Sequence, residues 1–218
     1  MNDKSKKLVF IHSFFYPDYS AGSQMLTDLS FDLAQNGFDV TVIASNKMYN
    51  DVKNPLPDKE NINGVCVHRV SSLILEKNSY IARALNYIYL EIAIIIKLFA
   101  LIDRRTVVVI MTDPPLLNVF LYLIIKFKKA IIVNWLQDLF PEVAVSAGLF
   151  REKSYINRAL KKCRNLVLRK SDKNVVIGSI MSTYLKDLGV DENKIIRIEN
   201  WSHGSKIYPI PNSCNEVR

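Results

Sequence analysis

The fold is decided by residues 8–43, which read LVFIHSFFYPDYSAGSQMLTDLSFDLAQNGFDVTVI. The β-branched and apolar runs at the two ends predict buried strands over residues 8–11 and 40–43. Between them, apolar residues repeat at helical spacing: Met25, Leu26, Leu29 and Leu33. Asn36-Gly37 is a typical end of such a helix. The stretch therefore predicts a βαβ unit with parallel strands and a right-handed crossover.

The same alternation continues along the chain. Further apolar runs predict strands over residues 65–70, 107–111, 130–135, 174–177 and 194–198. Helical spacing predicts helices over residues 80–102, 116–128, 155–167 and 179–188. We therefore expect an α/β fold with a single Rossmann-like, doubly wound, mostly parallel sheet of about seven strands. Residues 48–63, rich in Asn, Asp, Lys and Pro, are expected to form an exposed excursion.

The composition is that of an ordinary globular protein. Of the 218 residues, 49% are hydrophobic and 23% are charged, which argues against disorder, collagen and coiled coil. The cysteines Cys66, Cys163 and Cys214 are too few for a disulfide framework and lack metal-ligand spacing, so a reducing compartment is the default expectation. The net charge of +8 makes phosphates, nucleic acid and anionic lipid surfaces the partners to consider first.

Two apolar regions imitate targeting or membrane segments. Residues 8–15 follow a lysine-rich start, but His12 and Ser13 interrupt them and no small-residue cleavage site follows, which argues against a signal peptide. Residues 80–127 are interrupted by charged residues and by a pair of prolines. No run reaches the roughly 18 apolar residues of a spanning helix.

Ligands of parallel α/β sheets bind beyond the carboxyl ends of the strands. The loop after the first predicted strand leads to Ala21, Gly22 and Ser23, where the free N–H groups of a helix N-terminus suit a phosphate or carboxylate. This loop lacks the glycine patterns of dinucleotide and P-loop sites, so an ordinary turn is the alternative.

Two more loops place carboxylates at the same edge. Asp113 follows the fourth predicted strand and is either a helix cap or a site residue. Asp138 and Glu142 follow the fifth, where a carboxylate could orient a sugar hydroxyl or serve as a base. The alternative is a capped turn that opens a helix at Pro141.

Five motifs follow one another in a characteristic order. They are HSFFYP at 12–17 with Ala21-Gly22, NGFDVTV at 36–42, TDPP at 112–115, QDLFPE at 137–142 and IENW at 198–201. Together they resemble the amino-terminal domain of retaining glycosyltransferases of the fourth sequence family, most closely the bacterial branch that builds O-antigen and capsular polysaccharide. The resemblance implies one half of a two-domain GT-B fold. In that fold this half mainly holds the acceptor, and the carboxyl-terminal domain mainly holds the nucleotide sugar.

The resemblance also implies roles for particular residues. Asp138 matches a position near the reacting sugar, and Glu142 matches a recurrent Pro-Glu. Gly22 and neighbouring amides would approach the donor phosphates, although the family's frequent double glycine is here Ala21-Gly22 and the polar residue that follows is Gln24 instead of arginine. No metal or other cofactor is implied beyond the nucleotide sugar as co-substrate.

The position of Asn200-Trp201 resembles the point at which the family's chain crosses to its second domain. We therefore expect residues 1–199 to form the amino-terminal domain and residues 200–218 to form a linker or the start of a donor domain that this sequence lacks. Without that domain, supplied in cis or in trans, the chain is expected to be inactive.

A basic segment spans residues 151–173, where nine Lys or Arg and two acids leave a net charge of +7. The charges share a predicted helix with an apolar stripe, as in a membrane-surface helix or in a core helix with a solvated basic side. The first alternative makes four residues membrane-facing: Arg158, Lys161, Lys162 and Arg164. Nucleic acid is the poorer partner, because no recognition motif with interleaved aromatic residues is present.

The sequence thus predicts the acceptor-binding half of a retaining glycosyltransferase that acts on lipid-linked saccharides in surface polysaccharide assembly. The expected location is cytoplasmic, peripheral on the inner face of the plasma membrane. Two alternatives remain at this stage: a non-catalytic binding subunit or truncated-gene remnant, and a Rossmann-type nucleotide-binding protein.

Overall fold

The computed structural model describes residues 7–73, 80–148 and 151–202. Within them, one eight-stranded sheet has the order β3-β4-β2-β1-β5-β6-β7-β8. Only the pair β3 and β4 is antiparallel. The strand bounds are β1 Lys7–Ile11, β2 Asp39–Ser45, β3 Lys59–Ile62, β4 Val65–Val70, β5 Thr106–Met111, β6 Ile131–Leu136, β7 Lys173–Val176 and β8 Ile195–Arg197. The expected doubly wound α/β fold is confirmed.

Helices cover both faces of the sheet. Their bounds are α1 Ala21–Gln35, α2 Tyr80–Leu101, α3 Leu117–Phe127, α4 Glu142–Ser146, α5 Tyr155–Lys170 and α6 Ser179–Asp187. Because successive strand residues point to opposite faces, Phe10 packs with α1 whereas Val9 and Ile11 pack with α2 and α3. α5 lies beside α3, and its Leu168 packs against β6 and β7. One face therefore carries α1, and the other carries α2, α3 and α5.

The prediction of about seven strands missed β3. Lys59–Ile62 lies inside the segment expected to be an exposed excursion, and it pairs with β4 through a two-residue turn at Asn63-Gly64. Both turn residues have positive φ, 49° and 84°. Asn-Gly is a strong hairpin signal because asparagine and glycine tolerate this backbone conformation. The antiparallel strand caps the edge of the parallel sheet beyond β4.

Three asparagines, two of them buried, connect the sheet to the helices on the α3 and α5 side. Asn118 donates to Asn134, Asn134 donates to Asn174, and Asn174 donates to the backbone carbonyl of Leu168, at 2.8 to 3.1 Å. Asn134 and Asn174 are fully buried, so each of these hydrogen bonds satisfies a group that would otherwise be costly to desolvate. This network fixes α3, β6, β7 and α5 relative to one another below the candidate site.

None of the helices in the described ranges is long and apolar enough to cross a membrane. Of the expected linker at residues 200–218, residues 203–218 lie outside the described residues, as does Cys214.

Glu91 in α2 provides a test of the packing on the α2 side. Its side chain is buried, and burial raises the pKa from 4.5 to about 7. A carboxyl whose pKa is higher in the folded state stabilises the fold below pH 4.5, and this contribution is lost as the pH rises towards 7. We therefore expect Glu91→Gln to be neutral near pH 4 and to stabilise the protein by about 2–3 kcal/mol at pH 8, measured by urea unfolding. Glu152→Gln, at an exposed position, should show no such pH-dependent gain; an equal gain in both variants would contradict the prediction.

Candidate functional site

The candidate site lies at the carboxyl ends of three adjacent strands, β1, β5 and β6. His12 follows β1 directly, Asp113 comes two residues after β5, and Asp138 comes two residues after β6. The charge of Asp113 interacts with those of both His12 and Asp138. His12 is only 5% exposed, whereas Asp138 is exposed. The sheet thus brings together one imidazole and two carboxylates, one of which is open to solvent.

The two carboxylates have different environments. Burial raises the pKa of Asp113, and the nearby carboxylates of Asp138 and Asp18 raise it further, while His12 opposes the shift. The surroundings of Asp113 thus favour its neutral form, and the exposed Asp138 is the carboxylate that can face a ligand.

Asp113 is not a helix cap, which was the alternative drawn from sequence. α3 begins at Leu117, and the residue at its N-cap position is Leu116, with no side-chain hydrogen bond to the helix. The capping alternative for Asp138 fails for the same reason, because α4 has Pro141 at the N-cap position and no side-chain cap.

The loop after β1 is held in place by its backbone and by Asp18. The Ser13 N–H donates to the Asp113 carbonyl at 2.9 Å, and the Ser45 N–H donates to the Ser13 carbonyl at 2.9 Å. The buried Asp18 carboxylate accepts from the Ser20 N–H at 2.8 Å and from the Tyr49 N–H at 2.6 Å. These hydrogen bonds fix the start of α1 relative to the loops after β2 and β5.

Gly22 lies against the imidazole of His12. A Cβ atom at position 22 would be 2.6 Å from His12 Nε2, which is closer than two such atoms can approach. His12 Nδ1 is within hydrogen-bond distance of the Phe14 carbonyl at 2.8 Å. Nδ1 is therefore engaged with the loop, and Nε2 points at the first turn of α1.

The phosphate-binding expectation concerned this same first turn. Ala21 is exposed, Gly22 is half-buried, and the buried Ser23 donates its hydroxyl to the Asp18 carbonyl at 3.1 Å. Because first-turn N–H groups have no partner within the helix, the backbone amides rather than the Ser23 hydroxyl are the groups available for an anion. Phosphate binding here stays a prediction.

Gly22→Ala tests whether the observed position of the His12 imidazole requires glycine at residue 22. We expect the His12 ring to be displaced, because the added methyl group needs the space of Nε2. Unfolding free energy should change by less than about 1 kcal/mol, since alanine has a higher helix propensity and offsets part of the clash. The readout is the His12 ring resonance in NMR spectra. At Gly178 a Cβ atom meets nothing within 4 Å, so Gly178→Ala is the matched control. An unmoved His12 resonance in Gly22→Ala would disprove the steric argument.

Glu142 forms a partly buried ion pair with α5. Its two carboxylate oxygens accept from Arg164 Nη1 and Nη2 at 2.9 and 2.8 Å, and Oε1 also accepts from the Tyr184 hydroxyl at 2.8 Å. Burial alone would raise the pKa of Glu142, but the bonds from Arg164 and Tyr184 outweigh it and lower the pKa. Both oxygens are thus committed to protein partners, which favours a positioning role for Glu142 over direct contact with substrate.

Arg164 is not a surface cation, so its assignment to a membrane-facing set was wrong. The side chain is 3% exposed and also donates to the Phe140 carbonyl at 3.2 Å. Lys161 is half-buried, with Nζ 3.8 Å from Glu142. Arg158 and Lys162 are exposed, as predicted. Arg164 and Asp138 line one small cavity of about 20 Å³, so the ion pair supports the loop that carries Asp138.

A larger cleft of about 380 Å³ opens beside β1, β2 and β4. Its lining includes Ser13, Phe14, Lys47, Tyr49 and Asn86. The rings of Phe14 and Tyr49 meet edge to face with centroids 5.7 Å apart. The cleft combines apolar and aromatic walls with a cation and several hydroxyl and amide groups, which is a usual composition for a small-molecule site.

The chain returns to this edge after β8. Trp201 stacks on Trp135 with ring centroids 5.9 Å apart, and its indole N–H donates to Asp28 in α1 at 3.3 Å. Asn200 donates to the Gln137 side chain at 2.9 Å. Residues 200–201 are thereby fixed next to the Asp138 loop, on the α1 side of the sheet.

Sequence reasoning missed His12, Lys47 and the pairing of Glu142 with Arg164. His12 could have been found, because it follows β1 just as Asp113 follows β5 and Asp138 follows β6. Lys47 and Arg164 had no local signal that separated them from other basic residues. Within the described ranges, no three His, Cys, Asp or Glu side chains converge as a metal site.

The fold is that of one half of a GT-B glycosyltransferase. The structure superposes on sucrose-phosphate synthase from Thermosynechococcus elongatus with a TM-score of 0.62, at 14% identity, over 94% of this chain and 50% of that one. Anabaena HepE in complex with UDP gives a TM-score of 0.50, at 10% identity, over 89% of this chain and 44% of that one. At these identities the likeness establishes the fold alone.

Sequence similarity adds a relative of named activity. The chain is 30% identical over 138 residues to the probable glycosyltransferase WbjE of Pseudomonas aeruginosa, a match that covers 62% of this chain and 34% of WbjE. The chain thus matches about a third of that relative's length. No protein-family model matches. The chain is thus similar in sequence to part of a probable glycosyltransferase and in fold to one half of GT-B enzymes.

Proposed function

We propose that this chain is the acceptor-binding half of a retaining glycosyltransferase that transfers a sugar from a nucleotide sugar to a lipid-linked saccharide in surface polysaccharide biosynthesis. The observation that carries the proposal is the position of His12, Asp113 and Asp138 just beyond three adjacent strands, next to a 380 Å³ cleft whose lining includes Ser13. The similarity to WbjE supports it.

The cleft is the proposed acceptor site. Lys47 supplies a cation for the diphosphate of a lipid-linked saccharide, and the rings of Phe14 and Tyr49 supply apolar surface for a sugar face. Asn86 in the second turn of α2 and the serines at the ends of the strands can hydrogen-bond sugar hydroxyls. The mixture suits a phosphorylated saccharide better than a purely apolar ligand.

The donor enters from the side of α1 and Asp138 in this proposal. The first-turn amides of Ala21, Gly22 and Ser23 approach the donor phosphates, where the positive end of the helix dipole favours negative charge. Asp138 orients or polarises groups at the reaction centre, next to Asp113, whose pKa is raised by burial. The remaining donor contacts come from a carboxyl-terminal domain in cis or in trans.

The proposal predicts that the isolated 218-residue chain binds acceptor without turnover. Binding of a short-chain prenyl diphosphate saccharide is measured by calorimetry, and transfer is measured with a panel of nucleotide sugars. Lys47→Gln should weaken acceptor binding by roughly 10-fold or more, as expected for loss of a charge-assisted phosphate contact. Lys59→Gln, on the exposed edge strand, should bind like the parent.

Two results would overturn this proposal. Multiple turnovers by the isolated chain would show that the donor domain is not needed. Tight binding of nucleotide sugars with no binding of prenyl diphosphate saccharides would instead identify a Rossmann-type nucleotide-binding module.

A further inference from the structure

We infer that the outer face of α2 and α3 is a membrane-docking surface that inserts apolar side chains into an anionic lipid leaflet. This surface, the α2–α3 face, consists of exposed large apolar residues. They are Leu85, Ile88, Tyr89, Ile92, Ile96 and Phe99 in α2, and Phe120, Leu123 and Phe127 in α3.

The spacing of these residues makes the surface continuous. In α2 they recur at intervals of three or four, which places them along one side of the helix, and α3 packs next to α2. Ile96 is 67% exposed, Leu123 74% and Phe127 76%. Monomeric proteins rarely expose an apolar patch of this extent unless a partner or a membrane covers it.

The charges around the α2–α3 face identify the partner as anionic lipid. The single acidic residue in the sequences of α2, α3 and α5 is Glu91, and it is buried. The cations in or next to α2 and α3 are Lys97, Arg104, Arg105, Lys126, Lys128 and Lys129, of which Lys126 is paired with Asp172 at 3.1 Å. Lys128 Nζ lies 4.0 Å from the centre of the Phe99 ring. The acidic residue that follows α2 is Asp103, and its carboxylate is occupied by a backbone contact, since it accepts the Arg105 N–H at 2.8 Å.

A cationic margin around an apolar centre complements an anionic leaflet, whereas a second copy of this chain would place like charges together. α5 extends the surface, because it lies beside α3 and exposes Tyr155 and Ile156 together with Arg158 and Lys162. Residues 200–201, which follow β8, lie away from the face, since Trp201 is bound to α1 on the opposite side of the sheet.

This inference goes beyond the proposed function and does not depend on it. Binding to vesicles without binding to a prenyl diphosphate saccharide would support the docking surface and refute the acceptor site. Binding to the saccharide without binding to vesicles would support the acceptor site and refute the docking surface.

The test is flotation of the purified chain with phosphatidylcholine vesicles that contain about 30% phosphatidylglycerol. The triple variant Ile92→Gln, Ile96→Gln and Leu123→Gln should bind at least 10-fold more weakly, because it removes the inserting side chains. Tyr19 and Ile180 are 84% and 87% exposed and lie outside the face, so Tyr19→Gln with Ile180→Gln is the matched control and should bind like the parent. Arg158→Gln with Lys162→Gln should reduce binding only at low salt.

A second readout places the face in the lipid. Leu123→Trp should show a blue-shifted emission that brominated lipids quench in the vesicle-bound state. The inference is overturned if the parent does not float, if the triple variant floats equally well, or if Leu123→Trp is not quenched. Self-association in sedimentation that the triple variant abolishes, without vesicle binding, would overturn it in favour of an interface between copies of this chain.

Discussion

Asp138→Asn is expected to lower kcat by roughly 10²-fold or more in a complete enzyme, with the donor domain supplied in cis or in trans. The substitution keeps the volume and removes a charge at the reaction centre, and single acid–base or electrostatic groups commonly contribute that much. The free energy of unfolding should change by about 1 kcal/mol or less, because Asp138 is exposed and caps no helix. Steady-state transfer assays and urea unfolding measure the two effects separately.

Asp191→Asn is the matched control for Asp138→Asn, since Asp191 is an exposed aspartate remote from the site. It should leave kcat unchanged. Full turnover by Asp138→Asn, or a kcat loss that simply follows unfolding, would remove Asp138 from the reaction centre.

Arg164→Met should destabilise the fold by about 3 kcal/mol at pH 7. The substitution removes the two hydrogen bonds that Arg164 donates to the partly buried Glu142 carboxylate and the one that it donates to the Phe140 carbonyl, and breaking such an ion pair on one side is costly. Because the folded-state pKa of Glu142 is lowered, the pair stabilises the parent above the ordinary pKa of 4.5 and loses this contribution as the pH falls below it. Urea unfolding of parent and variant at pH 7 and pH 3.5 should therefore show a smaller difference at the lower pH.

The double variant Glu142→Gln with Arg164→Met should recover part of the loss, because no charge is then left unpaired. Arg158→Gln, on the exposed side of the same helix, should change stability by less than about 0.5 kcal/mol. An equal loss in Arg158→Gln and Arg164→Met would mean that total charge, and not the ion pair, stabilises α5.

The sequence was sufficient to predict the layers of the fold, because periodicity reports burial directly. α2 was predicted over residues 80–102 and observed at Tyr80–Leu101, since its buried residues recur at helical spacing over many turns. β3 was missed because its residues, Lys-Glu-Asn-Ile, lack strand propensity and pair only through the hairpin at Asn63-Gly64.

The site was predictable where it follows from the strand ends and unpredictable where it depends on distant partners. Asp113 and Asp138 were identified because the ends of parallel strands meet at one edge. The burial of Arg164 depends on Glu142, 22 residues earlier, and on Tyr184 from a third element. A helix rich in lysine and arginine gives no sign of which cation points inwards.

The stacked pair of Trp135 and Trp201 has an optical consequence. The protein has two tryptophans, so its indole emission comes from one spot on the molecule, beside Gln137 and the Asp138 loop. With centroids 5.9 Å apart and planes inclined by 22°, the two indoles are close enough to couple as chromophores. The tryptophan pair is thus an intrinsic spectroscopic probe. Near-ultraviolet circular dichroism and fluorescence should change when residues 200–201 separate from the sheet. They should not respond to changes at the amino ends of the strands.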